Sequence, residues 1–61
     1  MRVRIRKFGV MYWIFVKGEE VSGALRAREV YVGGKKLGAE GVELELLIDK
    51  LEVVDDVAYL W

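Results

Sequence analysis

The chain of 61 residues contains no cysteine, histidine or proline, and it also lacks asparagine, glutamine and threonine. Without cysteine and histidine it has no disulfides, no zinc site of the usual kind and no imidazole for catalysis. A domain this small buries only about 60% of the surface of its unfolded chain, so it usually depends on a disulfide, a metal or a partner. We therefore expect a homo-oligomer or a protein partner, with no cofactor and no metal.

The narrow choice of amino acids also bears on origin and location. Few thermolabile amides and many charges are typical of thermostable, hyperthermophile proteins, and a narrow alphabet equally suits a designed sequence. No apolar run approaches the roughly 20 residues that span a bilayer. The basic amino terminus is not followed by the unbroken apolar stretch of a signal peptide. We expect one soluble, cytoplasmic domain over residues 1–61, without a membrane partner.

Charge is divided along the chain, although the net charge is zero. Residues 1–36 contain nine Lys or Arg and three Asp or Glu, whereas residues 37–61 contain one Lys and seven Asp or Glu. Such asymmetry is typical of a polyanion-binding half beside an acidic half. It equally fits basic and acidic strands that pair across one sheet.

The first 17 residues predict a β-hairpin with its turn at Phe8-Gly9, because Gly supplies the positive φ that tight turns require. A loop of even length predicts three outward pairs: Arg6 with Met11, Arg4 with Trp13, and Arg2 with Phe15. The opposite, core-facing side would comprise Val3, Ile5, Tyr12, Ile14 and Val16. A three-residue loop would shift the register by one residue and bring Trp13 and Phe15 into the core.

A second extended segment follows over residues 24–32, between turns predicted at 17–20 and 33–34. A β-bulge near Arg28-Glu29 would turn four apolar residues inward: Leu25, Ala27, Val30 and Val32. Arg26 and Arg28 would then join the outward set. Gly33-Gly34 fits a type I′ hairpin turn, and a short loop is predicted at 38–41.

The last third of the chain has two interpretations. Residues 42–49 alternate apolar and acidic side chains, broken only by Leu47, and Asp55-Asp56 would form a turn before a last strand at 57–61. A helical stripe also runs from Leu44 to Trp61, although the many β-branched residues favour strands. The first interpretation predicts a five- or six-stranded antiparallel barrel of the OB or SH3 type. The second predicts a three-stranded sheet with a carboxy-terminal helix from about residue 42.

Part of the chain resembles a known family. Three segments are similar to the closing strands of an OB-fold, the anticodon-binding domain of aspartyl- and asparaginyl-tRNA synthetases: Val21-Ser22-Gly23 with Leu25-Arg26, Gly41-Val42-Glu43-Leu44, and Leu51-Glu52-Val53-Val54. The resemblance covers residues 21–54 and implies a small barrel. The chain has no room for the family's first three strands, which hold its anticodon-contacting residues, so no site residue is carried over.

Catalysis is not expected. The adjacent carboxylates Glu19-Glu20 and Asp55-Asp56 lie in predicted turns, where solvated side chains are the usual finding. Ser22 has no histidine partner. Gly33-Gly34-Lys35-Lys36 lacks the spacing of a phosphate-binding loop.

Binding is the function that the pattern favours, and two classes remain open. An apolar patch of Trp13 and Phe15, together with Tyr59-Leu60-Trp61, would fit a self-assembling or partner-binding scaffold, since Arg, Trp, Tyr and Met are enriched in protein interfaces. Alternatively, an arginine and aromatic surface would bind single-stranded nucleic acid. The candidate binding residues are Arg2, Arg4, Arg6, Trp13, Phe15, Arg26 and Arg28. In a third interpretation, which involves no ligand, the first three arginines form ion pairs with Glu43 and Glu45 of a neighbouring strand.

Overall fold

The described residues of this computed structural model, which are 1–19, 22–38 and 43–61, contain β-strands and turns but no helix. Eight strands lie in these ranges: β1 (Arg2–Phe8), β2 (Met11–Lys17), β3 (Ser22–Ala27), β4 (Glu29–Val32), β5 (Lys35–Lys36), β6 (Leu44–Leu47), β7 (Leu51–Val54) and β8 (Val57–Leu60). They form two four-stranded sheets, ordered β3-β2-β1-β6 in the first sheet and β5-β4-β8-β7 in the second. The prediction of an all-β domain is confirmed.

The amino-terminal hairpin forms with the predicted faces but with a different turn. Its two-residue turn is Gly9-Val10, so Phe8 pairs with Met11 and Arg6 pairs with Trp13. Gly9 has a φ of 62°, which suits the first central position of a type II′ turn. The predicted pairing was wrong by two residues on β2. Because the side-chain period is two, this shift keeps each residue on its expected face.

The bend between β3 and β4 carries the chain from one sheet to the other. β3 ends at Ala27 and β4 begins at Glu29, and the amide of Arg28 donates to the carbonyl of Asp56 at 2.8 Å. An irregularity was predicted here as a bulge within one strand, and it is instead a change of sheet. Leu25 is 39% exposed although it pairs with Ile14. Nothing in the described residues pairs with the other side of β3, so the inward position of Leu25 stays open to water.

Two further turns confirm the sequence prediction. Gly33 and Gly34 have φ values of 58° and 85°, as a type I′ turn requires, and they connect β4 to β5. Asp55 and Asp56, at 50° and 63°, connect β7 to β8. The turns predicted at 17–20 and 38–41 lie partly outside the described residues.

Strands replace the helical alternative in the last third of the chain. Leu44 and Leu46 are half-buried and Ile48 is buried, as alternation predicts, whereas Leu47 is 79% exposed. The helix expected from about residue 42 is therefore wrong for residues 43–61. β-Branched side chains lose χ1 freedom in a helix and pack well on a pleated sheet, which explains the outcome.

The predicted barrel of five or six antiparallel strands, arranged as a meander in which each strand pairs with its neighbours in sequence, is wrong in detail. Glu29 to Val32 pair with Val57 to Leu60 in parallel, so β4 and β8 are neighbours although three strands separate them in sequence. No closed barrel is found over the described ranges; the strands form two separate sheets. A meander joins only sequential neighbours, and this pairing is not sequential.

The core lies between the two sheets and is aliphatic. Its buried members are Val3, Ile5, Tyr12, Ile14, Val16, Ala27, Val30, Ile48, Ala58 and Leu60. All five core positions predicted for the hairpin are among them. The hydroxyl of Tyr12 donates to the carbonyl of Leu37 at 3.1 Å, which satisfies its only polar group.

Replacing Ile14 with Ala should destabilise the domain by about 2–5 kcal/mol, because Ile14 is 0% exposed and its removal leaves a cavity. Urea unfolding followed by circular dichroism measures this loss. Val10→Ala is the control, because Val10 is 78% exposed and should change the free energy of unfolding by less than about 0.5 kcal/mol. Equal effects of the two variants would contradict the assigned core.

Replacing Gly34 with Ala should lower stability by about 1–2 kcal/mol, since an alanine with φ near 85° is strained. No heavy atom lies near the added Cβ, so the cost is conformational and not steric. Gly38→Ala is the matched control, because Gly38 has open space and no positive φ. Thermal melts of the two variants should differ by several degrees, and identical melts would refute the type I′ turn.

Candidate functional site

The outward side chains of β1, β2 and β3 form one surface, called here the cation–aromatic face. Cross-strand register sets its layout: Trp13 pairs with Arg6 on one side and with Arg26 on the other. In the next row, Phe15 pairs with Arg4. Trp13 therefore lies between arginines of both neighbouring strands, whereas Phe15 has Arg4 on one side and Ala24 on the other.

Rings and guanidinium groups contact one another on this face. The rings of Trp13 and Phe15 are stacked, with centroids 6.4 Å apart and planes 17° apart. The guanidinium of Arg26 lies 5.4 Å from the centroid of Trp13, and that of Arg6 lies 5.0 Å from Phe8. Each exposed cation–π contact contributes about 0.5–1 kcal/mol. These contacts hold the cations beside the rings without neutralising them.

The far edge of the same face is acidic. β6 pairs with β1, and the Nε atom of Arg4 lies 3.0 Å from Glu43 Oε1. The Nε atom of Arg2 lies 3.9 Å from Glu45 Oε1. Ion pairing with a neighbouring strand is thus correct for Arg2 and Arg4. Arg6 differs, since its guanidinium lies over an aromatic ring.

The structure brings six of the seven candidate residues onto one face. Arg2, Arg4, Arg6 and Arg26 are exposed, Trp13 is half-buried and Phe15 is 40% exposed. Arg28 is exposed but lies in the bend between the sheets, beyond the end of β3. It therefore adds charge near the face without belonging to one of its cross-strand rows.

A second aromatic surface was not predicted as a unit. On the outer side of the second sheet, the rings of Tyr31 and Tyr59 stack at 5.5 Å, and those of Tyr59 and Trp61 at 6.2 Å. Sequence alternation places Tyr59 and Trp61 on one side of β8. The parallel pairing of β4 with β8 adds Tyr31, and no local signal predicts that pairing.

Charged residues flank this second surface. The Nζ atom of Lys36 lies 3.0 Å from Glu29 Oε1. The hydrogen bond to Glu29, and secondly its negative charge, raise the pKa of Lys36 above its usual value. The ammonium of Lys50 lies 5.3 Å from the ring centroid of Trp61. Glu52 pairs with Tyr59 at the outer strand β7.

The described ranges contain neither a cluster of metal ligands nor a buried charged side chain. No group of three or more Asp, Glu, His or Cys residues there could hold a metal ion. No charged or polar residue among them is classed as buried. Nor does any described part of the chain form a helix that could cross a membrane. The outer surfaces of the two sheets are therefore the candidate binding sites.

No protein-family model, curated protein or solved structure matches this chain. The resemblance of residues 21–54 to the closing strands of an OB-fold therefore stays a hypothesis. Function has to be inferred from the geometry of the two exposed faces.

Proposed function

We propose that this protein binds single-stranded nucleic acid on the cation–aromatic face. The observation that carries the proposal is the row in which Trp13 lies between Arg6 and Arg26 and stacks with Phe15. Single-stranded DNA and RNA are bound by aromatic side chains that stack on bases and by cations that follow the backbone. Each stacked base contributes about 1–3 kcal/mol.

The arginine positions suit a backbone that passes over the rings. Neighbouring strands are about 4.8 Å apart, so Arg6 and Arg26 start from strands roughly 10 Å apart with Trp13 between them. A base stacked on Trp13 would have a guanidinium group on each side. Arginine pairs with phosphate through two parallel hydrogen bonds, which favours it over lysine in this role.

A closed OB-type barrel is the finer architecture that we propose. Two features of the chain path support it: β3 continues into β4 after one residue, and residues 48–50 lead from β6 into β7. With each of these pairs taken as one bent strand, β4 beside β8 and β6 beside β1 complete a circuit of five strands. In OB-folds strands 2 and 3 carry the nucleic-acid-binding face, and here β2 and β3 carry Trp13, Phe15 and Arg26. In this proposal β1, β2 and the bent strand β3–β4 are the first three strands, for which the sequence resemblance had left no room.

The acidic edge defines the limits of the proposed site. Glu43 forms an ion pair with Arg4, and Glu45 forms one with Arg2. The carboxylates of both glutamates also repel phosphate. The nucleic acid would therefore follow β2 and β3 and avoid β6. Such an arrangement gives modest affinity, in keeping with a chain whose net charge is zero.

Trp13→Ala should weaken the binding of a fluorescein-labelled oligouridine by roughly five- to 150-fold, which corresponds to the loss of one stacked base. Fluorescence anisotropy at low salt measures this change. Leu47→Ala is the control: it removes an apolar side chain that is 79% exposed on the acidic edge strand β6, away from β2 and β3, and should leave affinity unchanged. A wild-type protein that binds no oligouridine or oligothymidine at low salt would refute the proposal.

Glu43→Gln should strengthen binding, because it releases Arg4 for a phosphate. The slope of log affinity against log salt should steepen by about 0.7, the value for one more contact with a single strand. Stability should change by less than about 1 kcal/mol, since the pair is exposed. Asp55→Asn is the control: it removes the same charge at the β7–β8 turn and tolerates positive φ. An equal gain with both variants would indicate net charge alone.

A further inference from the structure

We infer that the outer face of the second sheet is a dimer interface, covered by a second copy of this chain related by a two-fold axis. This inference does not depend on nucleic-acid binding. The face carries the stacked rings of Tyr31, Tyr59 and Trp61 beside Val54 and Val57. Trp61 is 51% exposed and Val54 is 47% exposed. A contiguous apolar surface rich in Tyr and Trp is typical of protein interfaces.

The order of charges across the sheet identifies the partner. Register places four side chains in one row across β5, β4, β8 and β7: Lys36, Tyr31, Tyr59 and Glu52. The row is a cation, two rings and a carboxylate. Lys36 also lies 3.0 Å from Glu29 of its own chain, and its ammonium has further N–H donors for a second carboxylate. A surface with opposite charges at its two ends can pair with a reversed copy of itself, because each end then meets its complement.

Only one direction of the two-fold axis satisfies this pairing. An axis parallel to the strands, between Tyr31 and Tyr59, reverses the row and sets Lys36 opposite Glu52 of the partner subunit. An axis along the row would instead set Lys36 against Lys36 of the partner subunit, and like charges in an interface are unfavourable. Charge therefore selects a face-to-face dimer whose strands run in nearly the same direction, as in aligned sheet packing.

Shape agrees with the same axis. Two residues beyond Tyr31 and Tyr59, the chain reaches Gly33 at the end of β4 and Trp61 at the end of β8. The amide of Gly33 donates to the carbonyl of Leu60 at 3.0 Å. Reversal across the axis brings the large indole of Trp61 over Gly33 of the partner subunit. Space is open where a Cβ of Gly33 would lie. The bulky indole of Trp61 would thus pack against a glycine, which has no side chain to clash with it.

The test is sedimentation equilibrium from low to high micromolar protein, without nucleic acid. The wild-type chain should approach twice its monomer mass of 7.0 kDa. Glu52→Lys and Lys36→Glu should each remain monomeric, because each places like charges at both ends of the row. An equimolar mixture of the two variants should recover the dimer, since each end again meets its opposite. Glu45→Lys, on the first sheet, should leave the dimer intact.

Three results would overturn the inference. One is a wild-type chain that stays monomeric throughout the concentration range. Another is a mixture of the two variants that fails to associate although circular dichroism shows both to be folded. The third is an assembly that Glu45→Lys abolishes and Glu52→Lys preserves, because that would place the interface on the first sheet. None of these measurements depends on nucleic acid, so they succeed or fail independently of the oligonucleotide titrations.

Discussion

The register of the amino-terminal hairpin is the constraint on which the rest of the structure depends. The two-residue turn at Gly9-Val10 sets Ile5 against Ile14 and Arg6 against Trp13. The inward positions of the two strands are then aliphatic or tyrosine, except for Lys7 at the turn end of β1, whose ammonium lies 5.4 Å from the ring centroid of Tyr12. The outward positions combine cations with rings. A shift by one residue would expose Ile14 and bury Trp13. The pairing register of β1 and β2 therefore determines both the core and the candidate binding face.

The uneven distribution of charge along the chain has a partial structural explanation. β6, from the acidic half, lies beside β1, from the basic half. Glu45 in β6 forms an ion pair with Arg2, and Glu43 just before β6 forms one with Arg4. Cross-strand pairing therefore accounts for some of the asymmetry. Arg6 and Arg26 have rings beneath them instead. Strand pairing thus explains Arg2 and Arg4, and Arg6 and Arg26 are the arginines to which the proposal of nucleic-acid binding applies.

Local patterns predicted most of the strands, because strand periodicity and turn chemistry act over a few residues. The alternation from Arg2 to Lys17 identified the core side of the hairpin. Gly33-Gly34 and Asp55-Asp56 marked turns correctly, since positive φ is a local demand. The first turn was predicted one residue too early, which displaced the pairing on β2 by two residues, because Gly can occupy either central position of a hairpin turn.

Long-range pairing could not be predicted in this way. Nothing near Val30 or Ala58 indicates that their strands run side by side in parallel. Alternation therefore grouped Tyr59 with Trp61 but did not indicate that Tyr31 joins them. Nor did it indicate that the irregularity at Arg28 is a change of sheet, because a bulge and a sheet crossing interrupt alternation alike.

The hydrogen bonds between Met1 and Ile48 have a consequence for folding kinetics. They connect positions 47 apart in the chain, and the parallel β4–β8 ladder also joins distant segments. Chains dominated by such non-local pairings close large loops before they gain contacts, and they typically fold in milliseconds to seconds. The β1–β2 hairpin needs only a two-residue loop and can form within about 10 microseconds. If the hairpin forms early, the outer edges of β1 and β2 remain unpaired until β6 and β3 join them. During this interval, strand pairing between molecules competes with folding.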